Sequence, residues 1–518
     1  MKSNEIHWDR VITAESFPFQ VRDFKSVQTH ISYVFITPVY VYKIKKPVNF
    51  GFLDFSTLEK RKHFCEKEVE LNRRLAPEIY LGVVPISKEG DIYRFEGKGE
   101  PVEYAVKMKP LPIEGLMQDL LKKKQIKEAH LDLIIDKLVP FYKQARTGEG
   151  VDTYGSIDVI SYNTEENFLQ TKAFVGKAIA EYRYYYIINY TRKFLKENAS
   201  LFIKRVEEGF IREGHGDLYS ANICFEGLKK VYIFDCIEFN ERFRCGDVCS
   251  DIAFLAMDLD FHEEEGLSQY FVEEYVKKSS DSELTKLLNF YKCYRACVRG
   301  KIGCFTFASP EVPEEVKKES LCSARKYFDL AYRYAGGVPK LIVFMGLSGT
   351  GKSFLASKLL EEIPALYLSS DIVRKELLGL SPDKHYYAEY EKGIYSPEHT
   401  EKTYKELVKR AREALQNGKD VIVDATFKNL WQRRLFAEML KKVKAEPIWI
   451  WCSAPESLIK ERMQKRMVEG TSSDALWEIY LKQKETAEIP TERECNPFLF
   501  LDTSQSCENL LSEIKNFL

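Results

Sequence analysis

The chain lacks any uninterrupted apolar run near the roughly 20 residues that a bilayer-spanning helix needs, so no membrane span is expected. Its 12 cysteines include no CxxC pair, which removes the usual sequence signs of a zinc site or a disulfide framework. The nearest metal-like pattern, Cys293 and Cys297 in "CYRAC", falls on an expected helix and reads as packing. An excess of one charge is missing too: 77 basic and 78 acidic side chains nearly cancel, so no global positive field favours nucleic acid. The opening residues, "MKSNEIHWDR", carry no apolar export segment, and with reduced thiols they give the expectation of a cytoplasmic protein.

What the 518 residues do have is 45% apolar content, enough for two or more packed cores. "HISYVFITPVYVYKIKKPV" and "PVEYAVKMKP" are rich in aromatic and β-branched residues, which predicts a small sheet region interrupted by a helix near residues 56 to 75. From about 115 to 205 few breakers occur and helices are expected; short strands return at "ANICF" and "KVYIFDC", followed by helices to about 334. "YAGGVPK" then breaks the pattern before "LIVFMG". This divides the chain into residues 1–334 and 335–518. In the second part "LIVFM", "ALYLSS", "DVIVDAT" and "PIWIWC" alternate with helical segments, the pattern of a mostly parallel sheet covered by helices.

Gly346 to Ser353, "GLSGTGKS", has the full GxxxxGK[ST] spacing between a strand and a helix. Backbone amides across Gly346, Ser348, Gly349, Thr350 and Gly351 can curl around phosphate oxygens, Lys352 can reach the outer phosphates, and Ser353 can ligate Mg²⁺. Asp371 follows the next strand, and Arg374 lies one helical turn on. Asp371 can activate an acceptor hydroxyl or only cap a helix; Arg374 can hold an acceptor phosphate. Asp424 ends "DVIVDAT" and can approach Mg²⁺ directly or through water, or be a turn carboxylate. Arg462 and Arg466 share a helix face, either as a lid over the travelling phosphoryl group or as a solvated stripe. Together "GLSGTGKS", "SSDIVRKEL", "VIVDATF" and "RMQKR" resemble the P-loop kinases that include small-molecule kinases and the kinase domain of polynucleotide kinases. The resemblance covers residues 338 to 518. It implies that Asp371 is the hydroxyl-activating base and that Arg374 binds acceptor phosphate.

The first part carries "EGHGDLYSANICF" followed by "VYIFDCIEF". Asp217 and Asn222 flank a tight loop and Asp235 follows a short strand, a spacing that can bring three oxygen-bearing side chains to one cleft. This segment resembles the aminoglycoside-phosphotransferase and protein-kinase-like superfamily. The resemblance implies Asp217 as catalytic base, Asn222 and Asp235 as metal ligands, and His215 as a loop support. It also implies an ATP lysine, Lys43, paired with Glu68 on a helix, although Lys45 shares the same strand face and Lys46 points away. No GxGxxG cover precedes Lys43. Asp247 and Asp251 lie one helical turn apart, placed either to stabilise the catalytic loop or to bind metal.

The expected fold class is therefore an α+β protein-kinase-like domain followed by an α/β P-loop domain. The two halves together resemble an uncharacterised bacterial fusion of an aminoglycoside-phosphotransferase-like domain with a P-loop kinase. The expected function is phosphoryl transfer from ATP or another nucleoside triphosphate, with Mg²⁺, to an unidentified small-molecule acceptor. Two alternatives are a regulatory protein with a silent first domain and a kinase of nucleic-acid ends, the latter not favoured by the balanced charge.

Overall fold

The computed structural model of the protein describes residues 6–51, 53–381, 391–469 and 477–518, with 466–469 as backbone only. Two compact units emerge: residues 1–166 with 192–296, and residues 167–191 with 297–518.

The first unit opens with strands β1 (Lys25–Gln28), β2 (Ser32–Ile36), β3 (Val41–Lys45), β4 (Tyr80–Glu89), β5 (Ile92–Phe95) and β6 (Pro101–Met108). They form one antiparallel sheet in the order β1-β2-β3-β6-β4-β5. Side chains alternate across β3, so Tyr42 and Ile44 enter an aromatic cluster with Phe35 and Phe95 while Lys43 and Lys45 face the other way. The Tyr42 and Phe95 rings stack with centroids 4.3 Å apart. Helix Leu58–Asn72 starts at Thr57, whose side chain accepts from the Lys60 amide. It packs against β4 and β6, on the sheet face to which Lys43 and Lys45 point.

The helical part of this unit holds four short strands: β7 (Ile211–Glu213), β8 (Ile223–Glu226), β9 (Lys230–Ile233) and β10 (Cys245–Asp247). β8 and β9 form a hairpin; β7 and β10 form a separate two-stranded ribbon. Asp247 caps helix Val248–Phe261, which is buried at every position from Val248 to Asp260. A helix apolar on nearly all sides belongs in the middle of a core, and Ile252, Leu255 and Leu259 sit with Leu131, Ile134 and Phe271. An antiparallel sheet followed by a helical region with a strand-flanked loop is the protein-kinase-like arrangement.

The second unit is built on β11 (Lys340–Met345), β12 (Ala365–Ser369), β13 (Asp420–Asp424), β14 (Glu446–Ser453) and β15 (Phe498–Asp502). All pair in parallel, in the order β12-β13-β11-β14-β15. β11 and β13 are buried at every residue, which explains their unbroken apolar runs. Leu341 and Val343 enter one core, Ile342 and Phe344 the other, so helices cover both faces. This is an α/β P-loop fold.

The compact units group residues differently from a single cut after residue 334. Arg183 Nη1 lies 2.6 Å from Asp329 and its Nη2 pairs with Asp420, the buried first residue of β13. Asp420 also accepts from the Lys340 amide at 2.8 Å. Segments 167–191 and 297–334 thus share a buried ion pair with the parallel sheet.

Candidate active sites

Lys43 Nζ lies 2.9 Å from Glu68 Oε1 and 2.6 Å from Asp235 Oδ1. Lys45 Nζ lies 2.7 Å from Glu68 Oε2 and also pairs with Glu238. Burial alone would raise the Glu68 carboxyl; the Lys43 and Lys45 ammoniums outweigh it and hold the group down to about 2. Burial likewise disfavours the charge on Lys43, but Asp235 and Glu68 reverse the effect and keep it cationic. The Lys45 side chain is 0% exposed, whereas Lys43 reaches Asp235, which is 46% exposed. Lys43 therefore meets the solvent-facing carboxylate, and Lys45 is locked between two acids behind it. Lys46 turns away toward Gln28.

Asp235 adopts a left-handed backbone with φ 60°, a conformation that aspartate tolerates better than most residues. The Tyr80 hydroxyl accepts from its amide, and Asn72 accepts from the next amide at 2.8 Å, tying this turn to helix Leu58–Asn72. On the neighbouring segment, whose Asn222 carbonyl accepts from the Phe234 amide at 3.0 Å, Asn222 Nδ2 donates to Asp217 Oδ2 and to its carbonyl, both at 2.9 Å. That orientation turns Asn222 Oδ1 into the amide's acceptor end, and it takes no hydrogen bond among the described residues. Asp251 settles its open assignment: it accepts the amides of His215 at 2.7 Å and Gly216 at 3.0 Å, so it clamps the loop. Asp247 caps the helix and is gripped by Arg205. His215 is buried, and burial pushes its imidazole below the usual range, so it stays neutral; its Nδ1 accepts from the Asp217 amide. Gly216, at φ 83°, lies so close to Phe243 that a Cβ would come within 2.6 Å of its carbonyl oxygen.

In the second unit β11 runs into the glycine-rich bend, and helix Lys352–Glu362 begins behind Gly351 at φ 90°. The helix presents its amide end to the loop formed by Gly346, Ser348, Gly349 and Thr350, with Ser353 in its first turn. Lys352 Nζ lies 3.5 Å from the Leu347 carbonyl, folded over the loop. Burial pushes the Cys452 thiol up to about 12, with Lys352 pulling it down and Asp424 up, so both charges act at one buried point. Asp424 is buried; Tyr367 donates to its Oδ2 at 2.8 Å, and Oδ1 has no hydrogen-bond partner among the described residues.

Ser369 is the N-cap of helix Ser370–Leu377, so Asp371 is not the capping residue and lies in the first turn. Its Oδ2 is 3.0 Å from Lys375 Nζ, a buried ammonium, and Tyr395 donates to Oδ1 at 2.9 Å. Arg374 is buried with its guanidinium 4.7 Å from the Tyr395 ring centre, and its Nε lacks a partner among the described residues. Arg462 donates to the Thr503 hydroxyl at 2.9 Å and to its carbonyl at 2.6 Å. Thr503 in turn donates to the Thr350 carbonyl. Arg462 and Thr503 border a cavity of ≈ 310 Å³ with Gly351, Phe354, Gln505, Cys507 and Leu510. The side chain of Arg466 lies outside the described residues.

Several contacts were not legible in the sequence. Gln483 accepts from the Ser348 amide of the phosphate loop at 2.9 Å, and Glu238, Lys375, Tyr395 and Thr503 complete ion pairs or bonds around the expected residues.

A family described as "AAA domain" matches residues 341–490. The Mycobacterium tuberculosis (strain ATCC 25618 / H37Rv) protein named "Uncharacterized protein Rv2004c" is 30% identical over 469 residues, covering 90% of this chain and 91% of that protein. The chain belongs to the family of that mycobacterial protein. The shared length takes in most of the tandem, a protein-kinase-like fold followed by a P-loop kinase-like one. Among solved structures, an ethanolamine kinase of Plasmodium vivax is 14% identical with a TM-score of 0.33, covering 58% of this chain and 81% of that one. An APS kinase of Mycobacterium tuberculosis is 21% identical with a TM-score of 0.27, covering 35% of this chain and 96% of that one. Both scores are low, and the fold rests instead on the strand order and the site geometry.

Among the described residues no helix is long and apolar enough to cross a membrane, and no three His, Cys, Asp or Glu side chains gather as a metal cluster. The acid-and-amide pair Asp235 and Asn222, and the orphaned Asp424 oxygen beside the phosphate loop, suit Mg²⁺, which takes few protein ligands and fills its shell with phosphate and water.

Proposed function

We propose that the protein is a bifunctional phosphotransferase that uses ATP, or another nucleoside triphosphate, and Mg²⁺ at two separate sites to phosphorylate small-molecule acceptors. The assignment of residues 1–334 to the first enzyme and 335–518 to the second is part of this proposal. The observation that carries it is Lys43 held between Glu68 and Asp235 in a chain that also contains a complete P-loop. A half-buried lysine fixed by a helical glutamate and reaching a solvent-facing aspartate is poised to bind phosphate oxygens beside a metal ligand.

In the first site Asp217 takes the proton of an acceptor hydroxyl, and Asn222 orients it. In the second, Lys352 and the amides from Gly346 to Gly351 hold the phosphates, Ser353 and Asp424 face the metal position, and Asp371 activates the acceptor. Arg374 meets an acceptor phosphate or carboxylate: a buried guanidinium whose Nε has no partner among the described residues, and whose Nη1 comes only within 4.0 Å of Asp371, favours an anion. Arg462 and Arg466 screen the phosphoryl group. Bound Mg²⁺ would neutralise charge on the transferred phosphoryl and its leaving group.

A second reading has one observation in its favour. The β1–β2 turn has no glycine, and Thr29 Oγ1 is occupied with the amides of Ile31 and Ser32. A turn without glycine brings fewer backbone amides to phosphate, which suits a first domain that binds nucleotide weakly and regulates the second. The test is γ-labelled ATP offered to the full chain, to D217N and to D371N with a metabolite mixture and with DNA and RNA ends. Two acceptors, one lost in each variant, support two enzymes. A single acceptor lost only in D371N supports the regulatory reading, and label entering only nucleic-acid ends overturns a small-molecule acceptor.

A further inference from the structure

Behind the catalytic loop of the first unit lies a cavity of ≈ 50 Å³ walled in part by Arg212, Arg242, Arg244 and Arg295. At 10–15 Å³ for each water, it has room for on the order of four small groups. Three of the arginines are answered from within the protein. Arg244 pairs with Glu213 at 2.9 Å, Arg242 with Glu166 at 2.9 Å, and Arg295 donates to the Gly216 carbonyl at 2.8 Å and approaches Asp251 at 3.4 Å. The two acids of the wall, Asp247 and Asp251, are committed to Arg205 and to the loop amides. Arg212 is different. It donates to one peptide carbonyl, that of Ala145 at 3.1 Å, and has no carboxylate within ion-pair reach among the described residues.

The reason lies across the ribbon. Arg212 on β7 is paired directly with Gly246 on β10. Directly opposed residues in an antiparallel pair share a face, with Cβ atoms about 5 Å apart, and this is where a partner for Arg212 would stand. Glycine leaves that place vacant, and a Cβ built on Gly246 meets nothing within 4 Å. Both residues line the cavity. A guanidinium has five donors and matches tetrahedral oxyanions through paired hydrogen bonds. We propose that Arg212, with Arg242 in the same cavity wall and Gly246 leaving the space, forms a site for a small tetrahedral oxyanion: inorganic phosphate or the phosphate end of a small phosphomonoester. None of the residues placed at either nucleotide site lines this cavity, and the proposal does not depend on the phosphotransferase reading.

The test is calorimetric titration of the full chain carrying K352A, which weakens the P-loop's own hold on phosphate, with orthophosphate and with glycerol 2-phosphate. Onto that parent are placed Arg212→Ala and, separately, Gly246→Asp, which supplies Arg212 with an internal carboxylate in open space. Each is expected to weaken binding of one equivalent by at least about tenfold, the loss of a hydrogen-bonded charge, with the unfolding midpoint confirming that the variant is folded. If Gly246→Asp does not fold, Arg212→Ala decides. Binding of orthophosphate identifies the free ion as sufficient; binding of the ester alone identifies a phosphorylated small molecule. Unchanged binding in a folded variant, or no binding of either probe by the parent, overturns the proposal.

Discussion

Lys43 and Asp235 lie 192 residues apart in the chain, yet Lys43 Nζ and Asp235 Oδ1 meet at 2.6 Å. The contact joins the antiparallel sheet to the turn after β9, and Glu68 holds the same ammonium from the helix side. The contact fixes the lysine proposed to meet phosphate and the aspartate proposed to hold the metal relative to each other.

Asp235→Asn removes the carboxylate charge while keeping the shape. In the K352A chain, where the second site is weakened, nucleotide affinity in the presence of Mg²⁺ is expected to fall by about 10–100-fold. Titration with and without Mg²⁺ checks this. Equal affinity in parent and variant removes Asp235 as a metal ligand.

Asp217→Asn is expected to leave nucleotide affinity at the first site nearly unchanged and to lower its turnover by about 10²–10⁴-fold, the usual worth of a general base. Single-turnover transfer to an acceptor lost in this variant, beside a binding measurement, separates the two effects. An equal loss of affinity would make Asp217 a binding residue.

Glu68 gives a pH dependence with a definite sign. Its folded carboxyl is held down to about 2, against 4.5 for the unconstrained group. The unfolded chain thus takes up the proton first, so this stability is fully present above pH 4.5 and is lost as pH falls toward 2. Glu68→Gln is expected to flatten the stability profile in that window. At neutral pH it should cost about 3–5 kcal/mol, because Lys43 and Lys45 lose a buried partner. Urea unfolding at a series of pH values measures both.

Arg183→Met leaves Asp420, 1% exposed, without its cation. A loss of about 3–5 kcal/mol is expected in the unfolding of the second unit. Thermal unfolding with a nucleotide analogue on a D235N background, in which only the second site is expected to hold it, identifies that unit's transition and checks it. An unchanged transition would show that segments 167–191 contribute little to the stability of the P-loop fold.

Much of this architecture is readable in sequence because its signals are local. The P-loop needs glycines and a lysine at fixed spacing, and β11 and β13 announce themselves as unbroken apolar runs because both faces are covered. The candidate catalytic loop is readable for the same reason, with Asp217 and Asn222 five residues apart. Alternation along β3 narrows the lysine to Lys43 or Lys45, but only the distant Asp235 and Glu238 tell them apart. β15 escapes because "FLFLD" is short and half-exposed, and the three-residue strands β7 and β10 have no period to read. Gln483 on the Ser348 amide and Arg183 on Asp420 are single contacts over 135 and 237 residues, set by packing alone.

The central claim is that one chain carries two working nucleotide sites, and counting bound nucleotide tests it most directly. Calorimetric titration of the full chain with a non-hydrolysable ATP analogue and Mg²⁺ is expected to give two equivalents. K352A should retain one, D235N should retain the other, and the double variant should bind neither. A single equivalent in the parent chain, abolished by K352A and untouched by D235N, would contradict the account.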